Sequence, residues 1–174
     1  MTNNPQPEQP DQHFSDAEWL FRRVRRENVA RNGKATFLAF NLPDMSVNRE
    51  RESSAEDARK GYDQADWAVV AFAVKDIPPR ATWVQIVQEY QLKPRHVPEP
   101  GNFSHSEVRV WRKVGAVFTL ITSRKPEDFL PGDPDRGEPR DTPETLLDPD
   151  FHMRWRKHIE LAAKIVLPCD SQPA

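Results

Sequence analysis

The clearest hydrophobic pattern in the chain is an uninterrupted apolar run of about eight residues, 67–74. A continuous run of this length that is rich in valine is typical of a strand covered on both faces. The proline pair at 78–79 ends it. Residues 106–111 alternate between polar and apolar side chains, which predicts a second strand, and residues 114–122 are expected to continue it or pair with it. These segments predict a sheet with a buried centre.

Two shorter segments also favour extended structure. The Asn32-Gly33 pair is a strong turn signal, and residues 36–40 after it are rich in aromatic and β-branched side chains. We therefore predict a strand over 36–40 and a short extended piece over 45–49. Residues 20–24 fit a helix or a strand equally well, because the run is too short to distinguish the two periods.

Helices are predicted from capping residues and from a 3.6-residue period. Ser53 and Glu56 have the spacing of a capping box, which predicts a helix over about 53–65. A similar box at 15–18 predicts a short helical turn, and residues 83–90 fit a helix or a strand, with a helix preferred. Residues 151–166 carry apolar side chains on one face, which predicts an amphipathic helix. That face is formed by Trp155, Ile159, Ala162 and Val166.

The domain organisation follows from where hydrophobic patterns are missing. Residues 1–13 have none and are expected to form a disordered tail. Residues 126–150 are acidic and rich in proline, which predicts a loose loop without packing. The expected fold is a single small α+β domain with a core over 14–125, a mixed or antiparallel sheet, and two to four helices. The last of these is a C-terminal amphipathic helix over 151–168 that packs on the core.

Composition narrows the class of protein more than it defines a function. A length of 174 residues suits one domain, and a formal net charge of −2 gives no global attraction to nucleic acid or to an anionic membrane. Cys169 is the only cysteine, so neither an intramolecular disulfide nor a cysteine-based zinc site is expected. No segment resembles a signal peptide or a membrane span. We expect a cytoplasmic protein with no membrane partner, no metal and no cofactor.

Three short segments, taken in order, carry a family resemblance. They are Trp19-Leu-Phe-Arg-Arg-Val24, then Phe40 followed by Met45-Ser-Val-Asn-Arg49, and then Pro98 followed by Asn102-Phe-Ser-His105.

Together these segments resemble a group of small bacterial proteins of uncharacterised function. The group shows Leu-aromatic-Arg-Arg, then Phe followed by Leu-Ser-Val-x-Arg, and later a Pro-x-x-Asn-x-x-His element. The resemblance spans about residues 18–110, with Met45 where leucine is expected, and leaves out the acidic segment near the C-terminus. It implies no activity, but it suggests a bacterial accessory protein encoded beside larger partners, as in a defence or toxin–antitoxin-like operon.

His105 and Asn102 form the first candidate site. The prolines and glycine at 98–101 make a rigid loop that presents these polar side chains at the start of a strand. A histidine there could act as a general acid or base, with Glu107 as the only carboxylate close in sequence. The alternative, which we prefer, is a structural histidine that bonds to the loop.

Arginines form the second candidate site. Arg22 belongs to a run of four arginines beside aromatic residues, a composition that could bind phosphate and stack on bases, although a strand would split the run between two faces. Arg49 could bind an anionic ligand or form a salt bridge, and the salt bridge is preferred. His152 and His158 are six residues apart, so they make a poor metal pair.

Trp155, with Arg154 and Arg156 beside it, is the candidate for partner binding, because tryptophan and arginine dominate interface hot spots. Our first hypothesis is therefore a non-enzymatic interaction module or accessory subunit with a protein partner. The alternative is a small enzyme acting on a nucleotide or nucleic acid, with His105 as general acid or base and Arg22 or Arg49 binding phosphate. A nucleic-acid binder through the arginine run is a third option. A concave pocket that joins His105 to one of these arginines would favour the enzyme.

Overall fold

The strands of the chain assemble into one mostly antiparallel sheet. The computed structural model describes residues 11–78, 89–142 and 148–170. Within these ranges the chain forms eight strands and two helices, joined by short 3-10 turns. The strands are β1 Trp19–Arg25, β2 Met45–Arg49, β3 Trp67–Ala73, β4 Tyr90–His96, β5 His105–Val114, β6 Val117–Ile121, β7 Arg140–Asp141 and β8 Lys164–Leu167, and the helices are α1 Ala55–Arg59 and α2 Pro149–Ala162.

The sheet is organised around β5, its longest strand. The strand order is β7-β6-β5-β2-β1-β3-β8, and β4 pairs with β5 outside this path. β4 runs along one edge of β5, while β2 and β6 pair with successive parts of the other edge. Every pairing is antiparallel except β6 with β7. The chain is therefore a small single-domain α+β fold, as predicted.

The first face of the sheet carries the main hydrophobic core. Alternate residues of the central strands point to this face and are fully buried, and α2 packs against them. From α2 the buried side chains are Phe151, Trp155 and Ile159, which lie one turn apart on one side of the helix. Each large apolar side chain buried in this way stabilises the fold by about 1.5–3 kcal/mol.

The second face of the sheet is covered in two places. At one end α1 lies against β1 and β3, with Ala58 buried in the contact. At the other end residues 126–142 lie over β5 and β6, where Phe129 packs with Trp111 and Leu120 in a small second core. The β1–β2 part of this face, next to His105, remains open as a cleft.

Several predicted elements differ from the structure. Residues 36–40 contain a 3-10 turn, Phe37–Ala39, instead of a strand, because β2 and β3 already occupy the two edges of β1. The helix predicted over 53–65 is only the five residues Ala55–Arg59. Its capping box uses Ser54 and Asp57, one residue later than predicted. The box at 15–18 starts no helix, because the backbone turns there and enters β1.

The apolar run is a strand, as predicted. β3 ends at Ala73, and six of its seven residues are buried, although it lies next to the edge strand β8 and not at the centre of the sheet. Core side chains cover one face, while α1 contacts the other. Residues 83–88 lie outside the described part of the chain, and Tyr90 begins β4.

Both segments expected to be loose make specific contacts where they are described. Gln12 exchanges two hydrogen bonds with the backbone of His96, so the predicted tail is ordered at this point. The acidic loop is packed, not loose, because the carboxylates of Asp133 and Asp135 form salt bridges with Arg109, which is buried on the sheet. Residues 1–10 and 143–147 lie outside the described residues.

The C-terminal helix is shorter than predicted. α2 spans Pro149–Ala162, and residues 164–167 of the predicted helix instead form β8, which pairs with β3. The edge of β3 offers unpaired backbone groups that this segment satisfies. No helix among the described residues combines the length and apolar character needed to cross a membrane.

His152 makes the fold sensitive to mild acid. Its Nε2 accepts a hydrogen bond from the main-chain N–H of Leu42 at 3.1 Å. Burial and the charge of Arg156 lower the pKa of His152 from 6.5 to about 4. Between these values the unfolded chain binds a proton that the folded chain does not, so stability should fall as the pH drops from 6.5 toward 4.

Urea unfolding at pH 7 and pH 4.5 measures this effect. We expect the wild type to lose about 1–2 kcal/mol more stability than His152→Gln over this interval, after allowance for solvent screening. Other titrating groups are common to both proteins, so the difference isolates His152. An identical pH dependence in the two proteins would contradict this assignment.

Candidate functional site

The open part of the second face is a cleft of about 210 Å³. Its floor is formed by β1, β2 and the start of β5, and one wall is formed by α1 and the turn after it. The side chains that matter most for its chemistry are Phe21, Arg22, Arg23, Ser46, Asn48, Tyr62, Trp67 and His105.

Strand pairing explains why these residues meet. Asn48 of β2 lies directly opposite His105 of β5, and Phe21 of β1 lies directly opposite Asn48. Residues paired in this way point to the same face of the sheet. Asn102 Nδ2 donates to Asn48 Oδ1 at 3.2 Å, and Ser104 Oγ donates to Asn102 Oδ1 at 2.9 Å. The loop before β5 is thereby tied to the rim of the cleft.

His105 lies at the end of the cleft with two carboxylates close to its ring. Its Nε2 is 3.4 Å from Glu107 Oε1 and 3.4 Å from Glu99 Oε1. Both contacts are long for hydrogen bonds. The side chain is 7% exposed, so only a small part of the ring faces the cleft.

Glu107 is held as an anion behind His105. Burial alone would raise the pKa of Glu107, but the hydrogen bond to His105 and the charges of Arg109 and Arg124 bring that pKa below its usual value. Arg109 Nε donates to Glu107 Oε2 at 2.9 Å, and Arg124 pairs with Oε1. A fixed carboxylate next to an imidazole orients the ring.

Arg22 lines the floor of the cleft, although it alternates with Phe21 and Arg23 along β1 and its side chain therefore starts on the first face of the sheet. The β1–β2 ladder stops after Phe21, and the Arg22 side chain fills the gap by donating to the carbonyl oxygens of Ala39 at 2.7 Å and Ser46 at 2.6 Å. Burial and the neighbouring charge of Arg23 lower the pKa of Arg22 to about 10.

Arg23 is the cation best placed to contact a ligand. Its guanidinium stacks over the ring of Tyr62, with 3.8 Å between the central carbon and the ring centroid. Tyr62 meets Trp67 edge to face at 5.3 Å between centroids. Among the described residues no carboxylate lies within salt-bridge distance of Arg23. Stacking of this kind leaves the N–H groups at the edge of the guanidinium available to an anion.

Arg49 does not reach this cleft. It pairs with Leu20 of β1, so its side chain points to the first face and is fully buried there. It donates to both carboxylate oxygens of Glu18, at 2.7 and 3.0 Å, and to the carbonyl oxygens of Asp11 and His13. The predicted salt bridge is therefore present, and these partners leave Arg49 no access to phosphate.

The residues expected to bind a protein partner do not form one exposed patch. Trp155 is fully buried in the main core, so the structure contradicts its role as a surface anchor. Burial follows from its place between Phe151 and Ile159 on the inner side of α2. Arg156 bonds to the side chain of Asn41, and Arg154 is half-buried.

Metal binding has no support in the described part of the chain, where no three histidine, cysteine, aspartate or glutamate side chains group as metal ligands. His96 and His105 do not converge on one ligand, since His96 Nε2 bonds instead to the Phe103 carbonyl at 2.8 Å.

A comparison of the chain with family models, with curated proteins and with solved structures found no match.

The three segments that carry the sequence resemblance all contribute to the cleft or its rim. The first supplies Arg22 and Arg23, the second supplies Asn48, and the third supplies Asn102 and His105. Sequence reasoning did not single out Tyr62 or Trp67 as cleft residues. For Phe21 and Arg23 a signal was available. Once the run is known to be a strand, the alternation of β1 places both side chains on one face.

Proposed function

We propose that the protein binds a nucleotide or a nucleic-acid phosphate in this cleft, and that His105 acts on it as a general acid or base. The observation that supports the proposal is the meeting of Arg22, Arg23 and His105 in one concave site lined by aromatic rings. Arginine binds phosphate through paired hydrogen bonds, and aromatic rings stack on bases.

The geometry suggests a role for each group. Arg23 binds the phosphate through its outward N–H edge, while Arg22, bonded to two backbone carbonyls, supports the floor of the site. His105 then exchanges a proton with an oxygen of the bound ligand, and Glu107 orients the ring. Arg109 and Arg124 are positioning residues, because they hold Glu107 in place.

Calorimetric titration with nucleoside monophosphates and with the corresponding nucleosides tests the binding step. We expect the nucleotides to bind and the nucleosides to bind at least tenfold more weakly. Arg23→Gln should weaken nucleotide binding about ten- to a hundredfold, since a charge-assisted hydrogen bond contributes about 1.5–3 kcal/mol. Lys157→Gln makes the same charge change on an exposed residue of α2 and should have no effect.

Turnover of mono- and oligonucleotides tests the chemical step. His105→Gln should lower the rate about a hundredfold or more while leaving nucleotide affinity within a few-fold. If no nucleotide binds to the wild type, the proposal is wrong. If nucleotides bind and are not turned over, the protein is a binding module and His105 has no catalytic role.

An accessory role with a protein partner stays a separate proposal. Its predicted anchor, Trp155, is buried, so such a partner would need another surface. Nothing in the arrangement of Arg154 and Arg156 favours one.

A further inference from the structure

A second cleft of about 360 Å³ continues the nucleotide site along β1. It is lined by Arg25, Arg26, Glu27, Asp66 and Trp67. Trp67 lines both clefts, so they adjoin at this ring.

The same arrangement of arginine and aromatic ring occurs in both clefts. Arg23 and Arg25 are two residues apart on β1, and their side chains therefore point to the same face. Arg23 stacks over Tyr62 at 3.8 Å, and Arg25 lies over Trp67 at 5.2 Å. Two residues along a strand span about 6.6 Å, a distance close to one step of a nucleic-acid backbone.

We propose that these two clefts form one track for a single strand of nucleic acid, with at least two consecutive nucleotides bound along β1. This inference rests on the proposed function and names its ligand as a polymer. Alternating cations and rings match a chain that alternates phosphates and bases. A single strand fits best, because the bases of a duplex are stacked on each other and cannot stack on Tyr62 or Trp67.

The acidic side chains of the second cleft limit the strength of this binding. Glu27 and Asp66 face the same space as Arg25 and Arg26, and the whole chain carries a formal charge of −2. Binding should therefore be local and moderate. The track presents three arginines to the ligand, Arg23, Arg25 and Arg26, and at about 0.7 per phosphate they give an expected slope of about −2 for log affinity against log salt concentration.

Fluorescence anisotropy with labelled thymidine oligonucleotides of two and eight residues tests the track, with a labelled mononucleotide as reference. We expect the octamer to bind at least tenfold more tightly than the mononucleotide. Arg25→Gln should weaken octamer binding five- to tenfold and reduce the salt slope by about 0.7. Its affinity for the mononucleotide should not change, whereas Arg23→Gln should weaken both.

Two further variants sharpen the test. Asp66→Asn removes a negative charge from the second cleft and should tighten octamer binding about two- to threefold. Lys157→Gln, on the opposite face of the sheet, should leave all affinities unchanged. Circular dichroism of each variant checks that the fold is retained.

The outcomes separate this inference from the proposed function. If the mononucleotide binds and the octamer binds no more tightly, the track is wrong and the nucleotide site stands. If the octamer binds tightly but Arg25→Gln has no effect on it, the strand follows another path and the inference is overturned. Equal affinity for duplex and single strand would also overturn it. If neither ligand binds, the proposed function fails together with the inference.

Discussion

Val110→Asp should leave the protein unfolded in the absence of a stabilising ligand. Val110 lies on β5 directly between Leu92 of β4 and Ile121 of β6, and none of the three is more than 1% exposed. A carboxylate at this position would have no cationic partner among them. Burial of an unpaired charge costs on the order of 4 kcal/mol or more, which is comparable with the whole stability of a domain at the low end of the usual range of about 5–15 kcal/mol.

Circular dichroism and urea unfolding measure the loss, and Val117→Asp is the matched control. Val117 is 57% exposed at the tip of the β5–β6 hairpin, so the same substitution there should cost less than about 0.5 kcal/mol. A folded Val110→Asp protein with near-normal stability would mean that the centre of the sheet is not packed as described.

Strands that depend on local pattern were predictable from the sequence. The apolar run of β3 reflects burial among apolar side chains, and the alternation in β5 reflects one apolar and one polar face, both of which are buried over its first seven residues. Both signals are local and need no knowledge of distant residues. β1 was ambiguous because seven residues hold fewer than two helical turns. The sheet it joins decides the matter, since β2 and β3 both pair with it.

The acidic cover over the second face was not predictable in the same way. Asp133 and Asp135 lie in a proline-rich segment whose local composition is that of a solvated loop. Their partner, Arg109, is 24 and 26 residues earlier in the chain. Such an ion-pair network depends on the tertiary fold, and the local amino-acid composition does not indicate it.

The candidate site was predicted in part. His105 and Asn102 lie where the rigid loop was expected to present them, and Arg22 lines the same cleft. Trp155 was predicted to lie at a partner surface but is buried, because the sequence does not show which side of the helix faces the core. For Arg49 the preferred salt bridge is present, and the alternative of phosphate binding is not supported by its buried position. Arg23 could not be distinguished from its neighbours in the arginine run until β1 was known to be a strand that places it on the face of the cleft.

The ion-pair network leads to the last prediction, that Arg109→Met should cost about 3–5 kcal/mol. Arg109 is fully buried and donates to Asp133 at 2.7 Å, to Asp135 at 2.8 Å and to Glu107 at 2.9 Å. Burial opposes its charge, but these carboxylates outweigh burial and raise the pKa of Arg109. Methionine would keep much of the side-chain volume and leave the carboxylates without their shared cation.

Urea unfolding measures this cost against Lys113→Met on the same strand. Lys113 pairs with Glu89 at 2.8 Å, but its side chain is 42% exposed, so its loss should cost less than about 1 kcal/mol.

Adding Asp133→Asn to Arg109→Met should recover part of the loss, because one unpaired buried charge is removed. Residues 126–142 should become the first site of proteolysis in Arg109→Met, since the cover depends on this arginine. A loss no larger than that of Lys113→Met, with the cover still protected, would show that apolar contacts such as Phe129 with Trp111 hold the cover in place and that the ion pairs contribute little.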